Sequence, residues 1–365
     1  MNFVPIAYYT NIYYQFLLLI TLFVFFQGTM KLESSQNLSI KKGLGSVLFF
    51  IVLLYIGLRP LNYRFGDMII YEMQFKSYAS GVPLKVEKDI LFEYMKYGVA
   101  QIAPSSVFFF LCAFLYVVPL YYASKKFFNE YWFYGFFMFI ISFSFWSYGT
   151  NGLRNGIATS LFLYGLSKDK RVSILTVLFI STFIHKSMLL PLFGYIATLV
   201  YNNSKAYFYL WIVCIPLSLA LGGFFTNFFM TIGIVEEKAI EGYLGQFDQA
   251  AEGVELKVGF RWDFLLYSAS GVFAGWYYIF RRKYQDKLYL QLLNVYLFCN
   301  AFWVLVIRAN YSNRLAYLSW FMLGVIIIYP LIKHKFFENQ HQVVVRIILA
   351  YFAFTYIMNV FIYKV

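Results

Sequence analysis

Charge is the first thing this sequence lacks. Asp, Glu, Lys and Arg make up 13% of its 365 residues, against about 25% in a soluble domain. No polar stretch is long enough to bury a core of its own, which excludes separate soluble domains. Cysteine is scarce too. Cys112, Cys214 and Cys299 fall in apolar runs at unrelated spacings, so they form neither a disulfide framework nor a metal box and read as small core residues. The basic region that opens a signal peptide is also missing, because the first Lys or Arg is Lys31, behind the first apolar run.

Apolar and aromatic residues take the place of charge. They reach 61% and 23% of the chain, with a mean hydropathy of +0.64. Runs of roughly 20 apolar residues recur along the whole length, so the chain reads as a single, all-α, polytopic membrane domain. About twelve spans are expected, near 6–27, 44–58, 106–123, 131–148, 152–167, 172–184, 187–201, 207–230, 263–280, 289–307, 314–332 and 343–363.

Bases outnumber acids by 30 to 17, a net charge of +13. Nucleic acid is not the expected partner, because the surplus sits where a membrane protein faces anionic lipid. With both termini outside, 15 of the 30 basic residues, Lys41 and Lys42 among them, fall in short inside loops. That is the asymmetry the positive-inside rule requires.

Two long outer loops follow, 59–105 and 231–262. In the first, short helices are expected over Met68–Tyr78 and Asp89–Ala103, with Gly81 and Pro83 between them. In the second, Val235, Ala239, Tyr243 and Phe247 recur every four residues, as on an amphipathic helix that serves as a lid or covers helix ends. The pairs Gly152/Gly156 and Gly271/Gly275 read as close helix-packing devices.

The remaining ionisable groups cluster at outer helix ends. Arg59, Arg64 and Asp67 follow the second span, and Arg154 opens the fifth. His185 and Lys186 lie between the sixth and seventh, and Arg308 and Arg314 between the tenth and eleventh. A single arginine in such a place snorkels to phosphate headgroups. Four junctions on one face suit a diphosphate, whose oxygens match the planar donor fork of arginine. His185, the one outward histidine, or Asp67 would then take a proton from a sugar hydroxyl. A lone histidine on that face argues against a zinc site.

These residues lie in strings that resemble a known family. GLRPLNYRFGDMIIYEMQF (57–75) is similar to the signature of the EpsG-type branch of the Wzy polysaccharide polymerases. LRNGIATSLFLYGLS (153–167), FIHKSMLLPL (183–192) and YSNRLAYLSWFMLGVIIIYPL (311–331) resemble it in the same order. The resemblance implies a GT-C-like glycosyltransferase of the bacterial inner membrane with its site facing the periplasm. It would join oligosaccharide repeat units carried on undecaprenyl diphosphate, beside a chain-length regulator protein. The family pattern lands on Arg59, Gly66, Asp67, Tyr71, Arg154, His185, Lys186, Ser187, Asn313 and Arg314; Arg64 and Arg308 lie at its edge.

Expected roles follow from that match. Arg154, Arg314, Arg308, Lys186 and one or both of Arg59 and Arg64 would hold the diphosphate, while Tyr71, Phe75, Asn313 and Tyr243 would contact sugar. His185 or Asp67 is the base. Fixed cations would stand in for a metal, so no metal or other cofactor is expected. A lipid-linked oligosaccharide flippase and an O-antigen ligase are the alternatives. The flippase would need charges along a path through the bilayer and internal repeats, which the chain lacks.

Overall fold

The computed structural model describes residues 4–29, 35–86, 88–231, 259–309 and 312–364. Among them there is no β-strand; every element is helical, as a backbone that must satisfy its own hydrogen bonds in lipid requires. Seven helices among the described residues are long and apolar enough to cross a membrane: Ile6–Gly28, Leu38–Gly57, Ser105–Ile140, Ser204–Phe228, Lys287–Leu305, Ser312–Lys333 and Gln340–Ile362. The chain is a multi-pass membrane protein.

Hydropathy leads to about twelve expected spans, against these seven helices of crossing length among the described residues. The stretch Ser105–Ile140 carries the expected span 106–123 and the first half of 131–148, joined through a 3₁₀ turn at Asn129–Tyr131, and the rest of 131–148 falls in a separate helix from Phe145. The helices Leu153–Leu166 and Arg171–Ile184 have 14 residues each, short of the roughly 20 that a straight crossing takes. Tyr243 and the periodic pattern around it lie outside the described residues.

The chain forms two compact units, Met1–Leu189 with Gly324–Val365, and Leu190–Leu323. The first contains α1 (Tyr9–Thr29), α2 (Ser35–Gly57), α3 (Met68–Ala79), α4 (Ile90–Ala100), α5 (Ser105–Phe128), α6 (Trp132–Ile140), α7 (Phe145–Thr150), α8 (Leu153–Leu166) and α9 (Arg171–Ile184). Helix α5 is its hub, packed by α2, α4, α6 and α8, while α8 in turn holds α9. Gly156 permits α7 and α8 to close up: a β-carbon there would meet the Tyr148 carbonyl oxygen at 2.7 Å. The Gly152/Gly156 pair is thus absorbed by packing.

The two short helices expected between Met68 and Ala103 form where expected. In α3, Met68, Tyr71, Phe75 and Tyr78 are buried at three- and four-residue spacing, and in α4 Phe92, Lys96 and Ala100 recur every four. These faces meet, and they enclose a lysine. Lys96 is fully buried, its Nζ donating to Gln74 Oε1 at 2.6 Å and Glu93 Oε1 at 2.9 Å beside the rings of Tyr71, Tyr78 and Phe92. Burial lowers its pKa, and the Glu93 carboxylate opposes that fall. Near the start of α2, Lys41 is also buried; it donates to the Tyr134 hydroxyl at 2.6 Å and lies 3.0 Å from His341 Nε2. His341 sits on α15 (Gln340–Tyr356), which packs against α1.

The second unit is built from α10 (Leu189–Val200), α11 (Ser204–Thr231), α12 (Trp262–Trp276), α13 (Lys287–Leu305) and the start of α14 (Ser312–Lys333). Helix α11 packs on α13 and departs from helical geometry at Leu221, five residues beyond Pro216. A buried polar hub joins four helices. Asn300 accepts from Trp211 Nε1 at 2.7 Å and donates to Ser268 Oγ at 3.0 Å and Ser319 Oγ at 2.8 Å. With its amide satisfied, Asn300 fixes how these helices register in an apolar interior. Gly271 and Gly275 provide close packing, since a β-carbon at either would lie 2.5 Å from Leu323 or Leu293.

Candidate active site

The site begins where α2 ends. Arg59 is 5% exposed. Its Nη1 donates to the Ile56 carbonyl at 2.7 Å and its Nη2 to the Thr150 carbonyl at 3.2 Å, with the rings of Phe65 and Phe109 flanking the guanidinium. Those carbonyls belong to the last turns of α2 and α7, where helices leave acceptors unpaired and carry partial negative charge. Arg59 therefore caps two helix ends at once. These contacts give the arginine a structural role at the junction of α2 and α7. Arg64, by contrast, is exposed.

After Arg59 the chain turns sharply onto α7. Gly66 has φ +62° and ψ −123°, a conformation open in practice to glycine alone. A β-carbon on Gly66 would also stand 2.5 Å from the Asn151 side chain. With glycine in place, the Asp67 N–H donates to Asn151 Oδ1 at 2.8 Å, and α3 starts at Met68. The RFGD corner is thereby clasped to the segment that leads into α8.

Three residues into that segment stands Arg154. Its Nε donates to the Tyr71 hydroxyl at 3.1 Å and its Nη1 to Asp89 Oδ2 at 2.6 Å. The same Asp89 oxygen lies 3.0 Å from His185 Nδ1, and Asp89 Oδ1 accepts from the Lys186 backbone N–H at 2.9 Å. One carboxylate thus gathers an arginine from α8 and a histidine and a backbone amide from the end of α9. The Asp89 side chain is fully buried, while those of Arg154 and His185 are 25% and 15% exposed. The carboxylate is thus more deeply buried than either side chain it holds.

Burial resists ionisation of Asp89. The His185 hydrogen bond and charge, the Arg154 guanidinium and the Lys186 N–H outweigh it, and the pKa falls from 3.8 to about 2. Asp89 is also bent out of the ordinary backbone range, with φ 56° and ψ 50° in the left-handed region. Aspartate tolerates that region better than most residues, at a cost of about 1–2 kcal/mol.

Of the four polar junctions read from the sequence, three belong to the first unit: Arg154 and the His185–Lys186 segment meet on Asp89, while Arg59 and Asp67 bond instead to Thr150 and Asn151, just before Arg154 in the chain. Lys186 is exposed, and the Ser187 hydroxyl donates to Asn155 Oδ1 at 3.2 Å. Tyr71 and Phe75 are buried; Tyr71 acts on Arg154 and offers no open ring face to a sugar. The fourth junction belongs to the second unit, where Arg308 and Arg314 are exposed and Arg308 Nη2 donates to the Leu219 carbonyl at 3.3 Å. There the Asn313 amide donates to the Tyr317 hydroxyl at 3.5 Å.

Sequence reasoning missed Asp89. It stands 65 residues from Arg154 and 96 from His185, and locally it looks like any acid that opens a helix. Its one distinguishing mark is that it offers no hydrogen bond to its own helix, which the sequence does not record. Among the described residues no group of three or more His, Cys, Asp or Glu side chains is arranged to hold a metal ion.

The sequence model of the EpsG family matches residues 44–365. No curated protein and no solved structure matches the chain.

Proposed function

Because the chain belongs to the EpsG family, polysaccharide polymerase-like membrane proteins, we propose that it joins lipid-linked oligosaccharide repeat units at the outer face of the bacterial inner membrane. The donor is a growing chain on undecaprenyl diphosphate, and the acceptor is the next lipid-linked unit. The observation that carries this reading is the Asp89 cluster: Arg154 and His185, on different helices, present a cation and a proton acceptor side by side.

The chemistry is a glycosyl transfer. An acceptor hydroxyl oxygen bonds to the anomeric carbon of the donor sugar as the bond from that carbon to the diphosphate oxygen breaks. The bonding pair leaves with the diphosphate, and the hydroxyl proton passes to His185 Nε2. With Nδ1 held on the carboxylate, Nε2 is the ring nitrogen that carries the lone pair. Arg154 and the exposed Lys186 offset the charge that grows on the leaving group, a contribution worth about 10²–10³ in rate per donor at comparable sites. Arg59 serves by holding the corner that carries Asp67 and α3 in place.

A strain deleted for this gene decides the class. Surface polysaccharide carrying one repeat unit and no long chains identifies a polymerase. Long lipid-linked chains that are never transferred onward would instead identify a ligase, and repeat units trapped on the cytoplasmic side a flippase.

A further inference from the structure

The geometry points to Asp89 as the positioning residue for both Arg154 and His185, fixing the histidine in the tautomer that leaves Nε2 as the proton acceptor. The inference deepens the polymerase reading and rests on it for its chemical consequence.

Three observations support it. Asp89 Oδ2 is shared by Arg154 Nη1 at 2.6 Å and His185 Nδ1 at 3.0 Å, so one oxygen sets the distance between the two side chains. The second oxygen takes the Lys186 backbone N–H at 2.9 Å, which pins the main chain immediately after His185. The carboxylate is fully buried and stands on a left-handed residue at the head of α4. A side chain that served only to start α4 would cap its own helix; this one faces across to α8 and α9.

A histidine whose Nδ1–H is held by a carboxylate keeps one ring orientation and one tautomer, and it is stabilised when it takes a proton. Arg154 faces the same carboxylate, and Lys186 adjoins the histidine. Asp89 therefore also keeps the Arg154 charge from opposing protonation of His185 when both act in one step. Asp89 itself touches no substrate, its side chain being fully buried.

The test is nitrogen-15 NMR of histidine-labelled full-length protein in detergent, with His185→Gln assigning its signal among the three histidines. Wild-type protein should show neutral His185 as the Nδ1–H tautomer. Asp89→Asn keeps a residue suited to the left-handed backbone but removes the charge. In that variant the His185 titration midpoint should fall by about one pH unit or more, and long-chain polymer should be lost in cells. An Nε2–H tautomer in the wild type, or an unmoved midpoint in Asp89→Asn, overturns the inference. If the NMR results are as expected but His185→Gln still makes long chains, the positioning role stands and the polymerase reading of this site fails.

Discussion

Arg59 and Thr150 are joined by a hydrogen bond that runs from one helix end to another, the guanidinium donating to the Thr150 carbonyl at 3.2 Å. The bond assigns Arg59 to the frame of the site. Replacing it with alanine leaves the Ile56 and Thr150 carbonyls without their donors, at about 1–3 kcal/mol for each buried group. Arg59→Ala should lower the melting temperature of the purified protein in detergent clearly, whereas Arg64→Ala, at an exposed position, should change stability by under about 0.5 kcal/mol. Equal melting temperatures for the two variants would remove the capping role.

Gly66 and Gly81 make a controlled pair. Both have positive φ, 62° and 94°, so an alanine strains the backbone at either place. Only at Gly66 does the new β-carbon strike a neighbour, the Asn151 side chain at 2.5 Å; around Gly81 there is nothing within 4 Å. Gly66→Ala should thus cost about 1–3 kcal/mol more than Gly81→Ala. Chain-length analysis should show polymer lost only in the first. A larger effect at Gly81 would contradict the clasp.

Acid should weaken the site through Asp89. Its folded pKa, about 2, lies below the ordinary 3.8, so its contribution is fully present above the unfolded value and is lost as pH falls through the folded one. The difference corresponds to roughly 2 kcal/mol. The melting temperatures of wild type and Asp89→Asn should therefore differ at pH 6 and converge between about pH 4 and pH 2. A gap that stays constant across that window would mean that the carboxylate charge does not hold the cluster together.

Much of this fold was legible in the sequence, and the reasons differ from part to part. The helices α3 and α4 came from turn signals and periodic apolar residues, both local. Tyr71, Arg154 and His185 stood out because charged and polar groups at the ends of apolar helices are costly and unusual. The span count was less legible. The short helices α8 and α9 lie close to the expected 152–167 and 172–184 but are not of crossing length. Hydropathy also does not mark the break between Ile140 and Phe145 inside the expected span 131–148. Arg59 and Asp89 show the firmest limit. One is bound to backbone carbonyls, which every residue carries, and the other to partners at least 65 positions away. Neither kind of partnership leaves a mark on the neighbouring sequence.

In the proposed function, Arg154 and His185 carry out the glycosyl transfer. Its most direct test is gel analysis of surface polysaccharide from a deletion strain complemented with Arg154→Ala or His185→Ala, each checked for wild-type levels in the membrane. The expected result is single repeat units without long chains in both, reflecting losses of about 10²–10⁴ in rate. Long chains from both variants at normal membrane levels would contradict the assignment of the site.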